Sequence, residues 1–307
     1  MFIAALVMKK VRGSGLYRQP VTRSILRTVG VFPLRNHYYD PLFLTGHLDP
    51  EYRRKRTVPG LDLNTDRQLA LLAEFVRYRN ELLAIPMDRS AGHRHGEFFY
   101  NNGAFGPGDA EMLYCMIRHF KPARIMEIGS GQSTLMAQNA IRENKRENPL
   151  YACRHVCVEP YEHPWLKDIG VELLRTPVEK LDVAAFDELG ENDILFIDSS
   201  HIIRPQGDVL FEYIELLPRL APGTLVHIHD IFTPRDYPNE WVIDKIRFWN
   251  EQYLLEAFLS CNNQFEVLSA LNHLATEHQA AFQACCPVYG EVSHLVEPGS
   301  FWIRRVG

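Results

Sequence analysis

The sequence predicts an α/β protein: an open, mostly parallel sheet of seven strands with helices on both faces, preceded by an N-terminal extension. Three observations carry this. Strand-length apolar runs alternate with stretches of helical period, the order that builds parallel sheets. Ile194-Leu-Phe-Ile197 is a continuous apolar run of the kind found in a parallel strand covered on both faces. Arg124-Ile-Met-Glu127-Ile-Gly129-Ser130-Gly131 breaks abruptly from apolar into small residues before a helix-compatible run, which reads as strand, tight turn and helix.

In chain order, residues 1 to about 60 are rich in Lys and Arg, including Arg53-Arg54-Lys55-Arg56, and poor in acids. Such a segment is a solvated face or a surface for anions or membranes. Phe2 to Met8 is apolar, precedes its positive charges and is too short to span a bilayer, so neither a signal peptide nor a transmembrane helix is expected. Asn36-His37-Tyr38-Tyr39-Asp40-Pro41 is aromatic and turn-forming, suited to a strap. Asp66 to Ile85 carries an apolar stripe and stops at Pro86. Residues 1–88 are therefore read as an extension or cap and 89–307 as the main domain. His93 and His95, in the turn-rich Ser90–Gly96 stretch, are loop histidines or metal ligands. Asp109 is placed to cap the helix through Met112–Phe120.

The glycine turn follows, and its chemistry is specific. Gly129 and Gly131 allow a ligand to approach the backbone, and the helix after them presents unpaired N–H groups, which makes a nucleotide-type site. His155-Val-Cys-Val-Glu159 is the next strand. Its terminal acid is placed to accept hydrogen bonds from two ribose hydroxyls. Val171–Leu174 is a third strand, Asn192–Asp198 a fourth and Pro222–Asp230 gives a fifth. A helix spans Gly207–Leu217, another spans Trp241–Leu259, a third lies near Ala275–Cys285, and Phe265–Ala270 and Ser300–Val306 are the last strands. Asp198-Ser199-Ser200-His201 and Val226-His227-Ile228-His229-Asp230 stand at adjacent strand ends, where open sheets place ligands. Strand alternation puts His227 and His229 on one face and Asp230 on the other, unless the end of the ladder redirects them.

Composition narrows the function. A net charge of -5 gives no global attraction to nucleic acid. The six cysteines include adjacent Cys285-Cys286 and no paired zinc-type spacing, so free thiols in a reducing cytoplasm are expected.

With these residues in place, the chain from about Phe98 to its end resembles the class I S-adenosylmethionine-dependent methyltransferases, in particular the methyltransferase-24-like group. Glu127-Ile-Gly129-Ser130-Gly131-Gln132-Ser133-Thr134 matches their first motif, with Ser133 where many members have a third glycine. The resemblance implies a Rossmann-like methyltransferase fold closed by an antiparallel strand. It also implies methyl transfer from S-adenosylmethionine to a small-molecule acceptor, with oxygen favoured over nitrogen and a specialised metabolite plausible. Glu127, Gly129, Ser130, Gly131, Ser133, Glu159 and Asp198 would hold the cofactor, and Val178 and Glu179 would lie against the adenine.

Comparison with metal-dependent catechol-type O-methyltransferases sets Asp198, His229 and Asp230 at the metal ligands and His201 near the basic catalytic residue. This chain departs by offering His229 for a carboxylate and His201 for a lysine. A divalent ion there (Mg, Mn, Fe or Zn) would lower the pKa of an acceptor hydroxyl, and His201 would take the proton. His201, His229 and Asp230 alternatively resemble an iron triad of another enzyme class. Two further alternatives are that the histidines only hydrogen-bond within the pocket and that the chain is a non-catalytic cofactor-binding module. A cytoplasmic location and a possible homodimer complete the expectations.

Overall fold

A computed structural model describes residues 1–15, 18–35, 41–42, 46, 48–89, 96–161 and 163–307. Asn36–Asp40 and the His93/His95 turn lie outside the described residues.

The chain forms two compact units, one of residues 1–54 with 238–248, the other of 55–237 with 249–307. The smaller unit holds helices α1 (Phe2–Gly13) and α2 (Pro20–Val29). Pro20 starts α2 where its missing N–H costs nothing, and Gly30, at φ 77°, ends it in the left-handed conformation glycine tolerates. The larger unit begins before α3 (Thr65–Phe75), so the helical stretch assigned from sequence to the extension lies with the sheet. A 3₁₀ turn at Val76–Tyr78 leads into α4 (Arg79–Leu83).

After α5 (Asp109–Phe120) come β1 (Arg124–Ile128), α6 (Gln132–Glu147), β2 (Arg154–Val158), β3 (Glu172–Leu174) and β4 (Ile194–Ile197). Then follow α7 (Asp208–Leu210), β5 (Leu225–Ile228), α8 (Glu251–Leu259), β6 (Phe265–Ala270), α9 (Leu271–Glu277), α10 (Gln279–Cys285), α11 (Pro287–Val292) and β7 (Phe301–Arg305). The seven strands run in the order β3-β2-β1-β4-β5-β7-β6. β1 to β5 are mutually parallel and β7 is antiparallel to both its neighbours. This is the seven-stranded, mostly parallel sheet expected of a Rossmann-like methyltransferase.

Alternation along the strands divides the core. Ile125, Ile194, Phe196 and Trp302 face a layer that includes Leu72, Phe75, Met112 and Met136, contributed by α3, α5 and α6. Met126, Ile128, Leu195 and Ile197 face Val209, Leu216, Leu255 and Leu259 on the other side. Burying each such side chain contributes about 1.5–3 kcal/mol. The topology reverses between β1 and β4, so the crevice for a ligand opens at their carboxyl ends.

Two helices differ from expectation. α7 widens into a π-turn at Phe211–Leu216 and ends in a 3₁₀ turn containing Pro218. The proline ring excludes the carbonyl four residues earlier, so a regular α-helix cannot continue through it. The helix expected over 241–259 is instead a π-turn at Glu240–Asp244 and, separately, α8. Ile246 at φ 50° and Asn250 at φ -148° leave helical dihedrals between them.

Candidate functional site

The glycine turn is held by its own chemistry. Gly129 has φ 78°, and a Cβ there would lie 1.9 Å from the Asp198 carbonyl oxygen, so β1 and the turn after β4 meet only because the position is glycine. The Gly131 N–H donates to Thr134 Oγ1 at 3.0 Å, and that hydroxyl donates to Glu127 Oε2 at 2.6 Å. The Ser130 N–H donates to Glu159 Oε2 at 3.3 Å, and the Tyr161 N–H to its Oε1 at 2.9 Å. A cleft of about 290 Å³ opens here, lined by Gly129, Glu159, Val178, Glu179, Asp198 and Ser199 among others. A larger depression of about 460 Å³, beside Cys261 and Phe265, lies at the amino end of β6, the opposite end of the sheet from these residues.

Beside the cleft stands a ring of four side chains. His201 Nε2 lies 3.3 Å from Asp198 Oδ1 and 3.4 Å from Asp230 Oδ2. His229 Nδ1 lies 3.4 Å from Asp230 Oδ1 and 3.7 Å from Asp198 Oδ1. Alternation alone would separate His229 from Asp230. Asp230 takes φ 59° and His201 φ 60°, and these two left-handed residues, uncommon for non-glycines, turn both side chains into the ring.

The ring is anchored from behind. His201 Nδ1 meets Glu251 Oε2 at 2.9 Å, and Tyr213 Oη donates to Glu251 Oε1 at 3.0 Å. The Asn250 N–H donates to the His201 carbonyl, tying the start of α8 to the turn after β4. Trp249 lies over the His201 ring at 4.3 Å, and Phe105 packs against His229 at 5.3 Å. Asp208 accepts from the Ser200 N–H and hydroxyl and pins the same turn.

Burial disfavours a charged imidazole, but Asp198, Glu251 and Asp230 overcome this and raise the His201 pKa to about 10. The same opposition, with Asp230 and Asp198 winning over burial, holds His229 well above its ordinary value. Burial likewise opposes ionisation of Asp198, yet His229 and His201 pull its pKa down to about 2. His227 is different: burial and the neighbouring His229 push its pKa well down. It stacks on Phe196 at 4.0 Å and meets Ser300 Oγ at 2.8 Å, inside the core rather than in the ring.

Comparison with known proteins agrees with this geometry. A family model described as a methyltransferase domain matches residues 126–231, from β1 to just beyond β5. An uncharacterized protein of Archaeoglobus fulgidus is 31% identical over 201 residues, which is 61% of this chain and 86% of that protein. The chain belongs to the class I methyltransferases.

In this methyltransferase the residues singled out from sequence fall into three groups. Gly129, Glu159, Val178, Glu179 and Asp198 line the cleft, with the Ser130 N–H bonded to Glu159. Asp198, His201, His229 and Asp230 form the ring. Glu127, Gly131 and Ser133 are not among the lining residues. Glu127 is 1% exposed and sits behind the turn, where Oε2 also approaches His155 Nε2 at 3.1 Å. Glu127, His155 and Cys157 have donor atoms within 4.8 Å of one another, with Gln138 Nε2 on His155 Nδ1 at 2.8 Å and the Thr134 hydroxyl on Glu127 Oε2.

Asp109 does not cap its helix. The first free N–H, that of Gly108, is satisfied by Glu111 Oε2, and Asp109 instead accepts from the Gly299 and Ser300 N–H groups, 3.8 Å from His229 Nε2. Tyr213 and Asp109 carry no local mark of a place in the site. Glu251, which the sequence offers as a minor candidate for reaching substrate from the helix expected over 241–259, meets His201 and Tyr213 instead.

Among the described residues no helix is long and apolar enough to cross a membrane.

Proposed function

We propose that this protein transfers a methyl group from S-adenosylmethionine to a hydroxyl of a small-molecule acceptor, with a divalent ion held by Asp198, His201, His229 and Asp230. One residue carries the reading: Asp198 both lines the cleft and closes the ring, so donor and acceptor sites meet at its carboxylate.

The cleft suits the methyl donor. Gly129 lets the turn after β4 close against β1 and so shapes the cleft's floor, Glu159 offers carboxylate oxygens to ribose hydroxyls, and Val178 gives an apolar wall for adenine. S-adenosylmethionine supplies an electrophilic methyl on sulfur, and the protein's task is alignment of an in-line displacement.

The ring suits a metal. Asp198, His201 and Asp230 each offer a donor atom within 4.8 Å of the others, and His229 Nδ1 stands 3.7 Å from Asp198 Oδ1 and 3.4 Å from Asp230 Oδ1. Two imidazoles and two carboxylates favour Mn²⁺, Fe²⁺ or Zn²⁺ at least as well as Mg²⁺. Held there, such an ion would supply a Lewis acid that lowers the pKa of an acceptor hydroxyl. Glu251 keeps the His201 ring fixed through Nδ1, so that Nε2 faces Asp198 and Asp230. His201 alone is a poor base at neutral pH, because its carboxylate neighbours hold a proton on it; metal ligation requires both rings neutral.

The test is turnover of a panel of hydroxylated acceptors by the metal-free enzyme and after adding back each divalent ion. The reading requires methyl transfer that the ion restores and Asp230→Asn abolishes. Methyl transfer indifferent to chelation would remove the metal from it. Bound iron with oxygen consumption and no methyl transfer would replace it with an oxygenase.

A further inference from the structure

The smaller unit carries a surface that the proposed chemistry does not use. In α2 Val21, Ile25 and Val29 recur every fourth residue on one stripe and are 72, 57 and 68% exposed, while Leu26, off the stripe, is buried. In α1 Phe2 and Ile3 are 77 and 76% exposed and pair along the helix with Leu6 and Val7, which are also exposed. Val31 and Phe32, just beyond α2, are exposed as well. Exposed apolar side chains in repeated helical register mark an interaction surface rather than random surface composition.

The charge on these same elements says what the surface meets. Positive residues recur from Lys9 to Arg35, and no Asp or Glu occurs anywhere in residues 1–35, in a chain whose net charge is -5. Lys9 and Lys10 are exposed at the last turns of α1, and Arg23 and Arg27 are exposed on the side of α2 away from its apolar stripe. Apolar on one face and basic on the other, as in α2, is the composition of helices that lie in the interface of an anionic bilayer, and α1 is apolar through its first half and basic at its end. At 12 residues α1 is about 18 Å long, too short to span the ~30 Å hydrocarbon core, so the helices lie on the membrane instead of crossing it.

We infer that α1 and α2 bind the surface of an anionic phospholipid bilayer, inserting the Val21/Ile25/Val29 stripe and the apolar half of α1 while the basic residues meet the headgroups. This inference uses the smaller unit alone and stands or falls independently of the reading of the cleft.

Co-sedimentation of the full chain with phosphatidylcholine vesicles, with and without phosphatidylglycerol, tests it. The protein pellets with the anionic vesicles only, and less so as salt is raised. Ile25→Glu, and separately Val21→Asp, each lower the partition coefficient about tenfold or more at sites exposed enough to spare the fold. The double change Arg23→Gln, Arg27→Gln lowers it about thirtyfold. Absence of pelleting with anionic vesicles at low salt overturns the inference, as does equal pelleting with neutral ones or binding indifferent to Ile25→Glu. A dimer that Ile25→Glu dissolves, in protein that ignores vesicles, would assign the surface to a second copy of the chain.

Discussion

Replacing Glu251 by glutamine keeps the shape of the side chain and removes only its charge. In the structure Glu251 is fully buried, with His201 Nδ1 on one oxygen at 2.9 Å and the Tyr213 hydroxyl on the other at 3.0 Å. A hydrogen bond to a buried charged partner contributes about 1.5–3 kcal/mol, and each pKa unit corresponds to about 1.4 kcal/mol, so the His201 pKa should fall by about one to two units from its position near 10. The assay is imidazole NMR on metal-free Glu251→Gln protein and its parent. Activity should follow through kcat, with the KM for the methyl donor unchanged, because Glu251 is not among the residues lining the cleft. An unchanged His201 titration would refute the claim that Glu251 holds this ring.

Gly129→Ala forces a Cβ to within 1.9 Å of the Asp198 carbonyl oxygen in a left-handed conformation that costs about 1 kcal/mol before the clash, so donor binding should be lost and melting lowered; parental binding in calorimetry would contradict this. The stability of metal-free protein should be greatest between about pH 4 and 6.5. The raised pKa of His201 contributes stability that is full below 6.5 and lost as pH rises toward about 10, and the depressed pKa of Asp198 contributes stability that is full above 3.8 and lost as pH falls toward about 2. A melting temperature that climbs steadily from pH 6.5 to 9 would show that His201 is not so held. Asp230→Asn should reduce metal affinity by at least tenfold while leaving donor affinity within about twofold, which isothermal titration of each ligand separately would measure.

The sheet and the glycine turn were legible in the sequence because their signals are local. Ile194–Ile197 is apolar throughout since both of its faces are covered, and Gly129 is glycine since another backbone passes within contact distance. The ring was only half legible. Asp198, His201, His229 and Asp230 announce themselves by position at strand ends, but strict alternation would have parted His229 from Asp230. Two left-handed residues reunite them, and φ is not written in residue type when the residue is Asp or His. Glu251 and Tyr213 reach the ring from the opposite side of a long connection, and Asp109 from the helix before β1, so only the fold brings them there. Glu127 shows the reverse: its motif is plain, yet its carboxylate points into the layer beneath the turn, where Thr134 and His155 meet it.

The most direct measurement is calorimetric titration of the purified protein with S-adenosylmethionine, repeated for Glu159→Ala. Saturable binding with one site per chain, weakened at least tenfold by the substitution, is what a cleft built on Gly129 and Glu159 predicts. Absence of binding at any accessible donor concentration would contradict it and leave the Asp198/His201/His229/Asp230 ring to be explained by another chemistry.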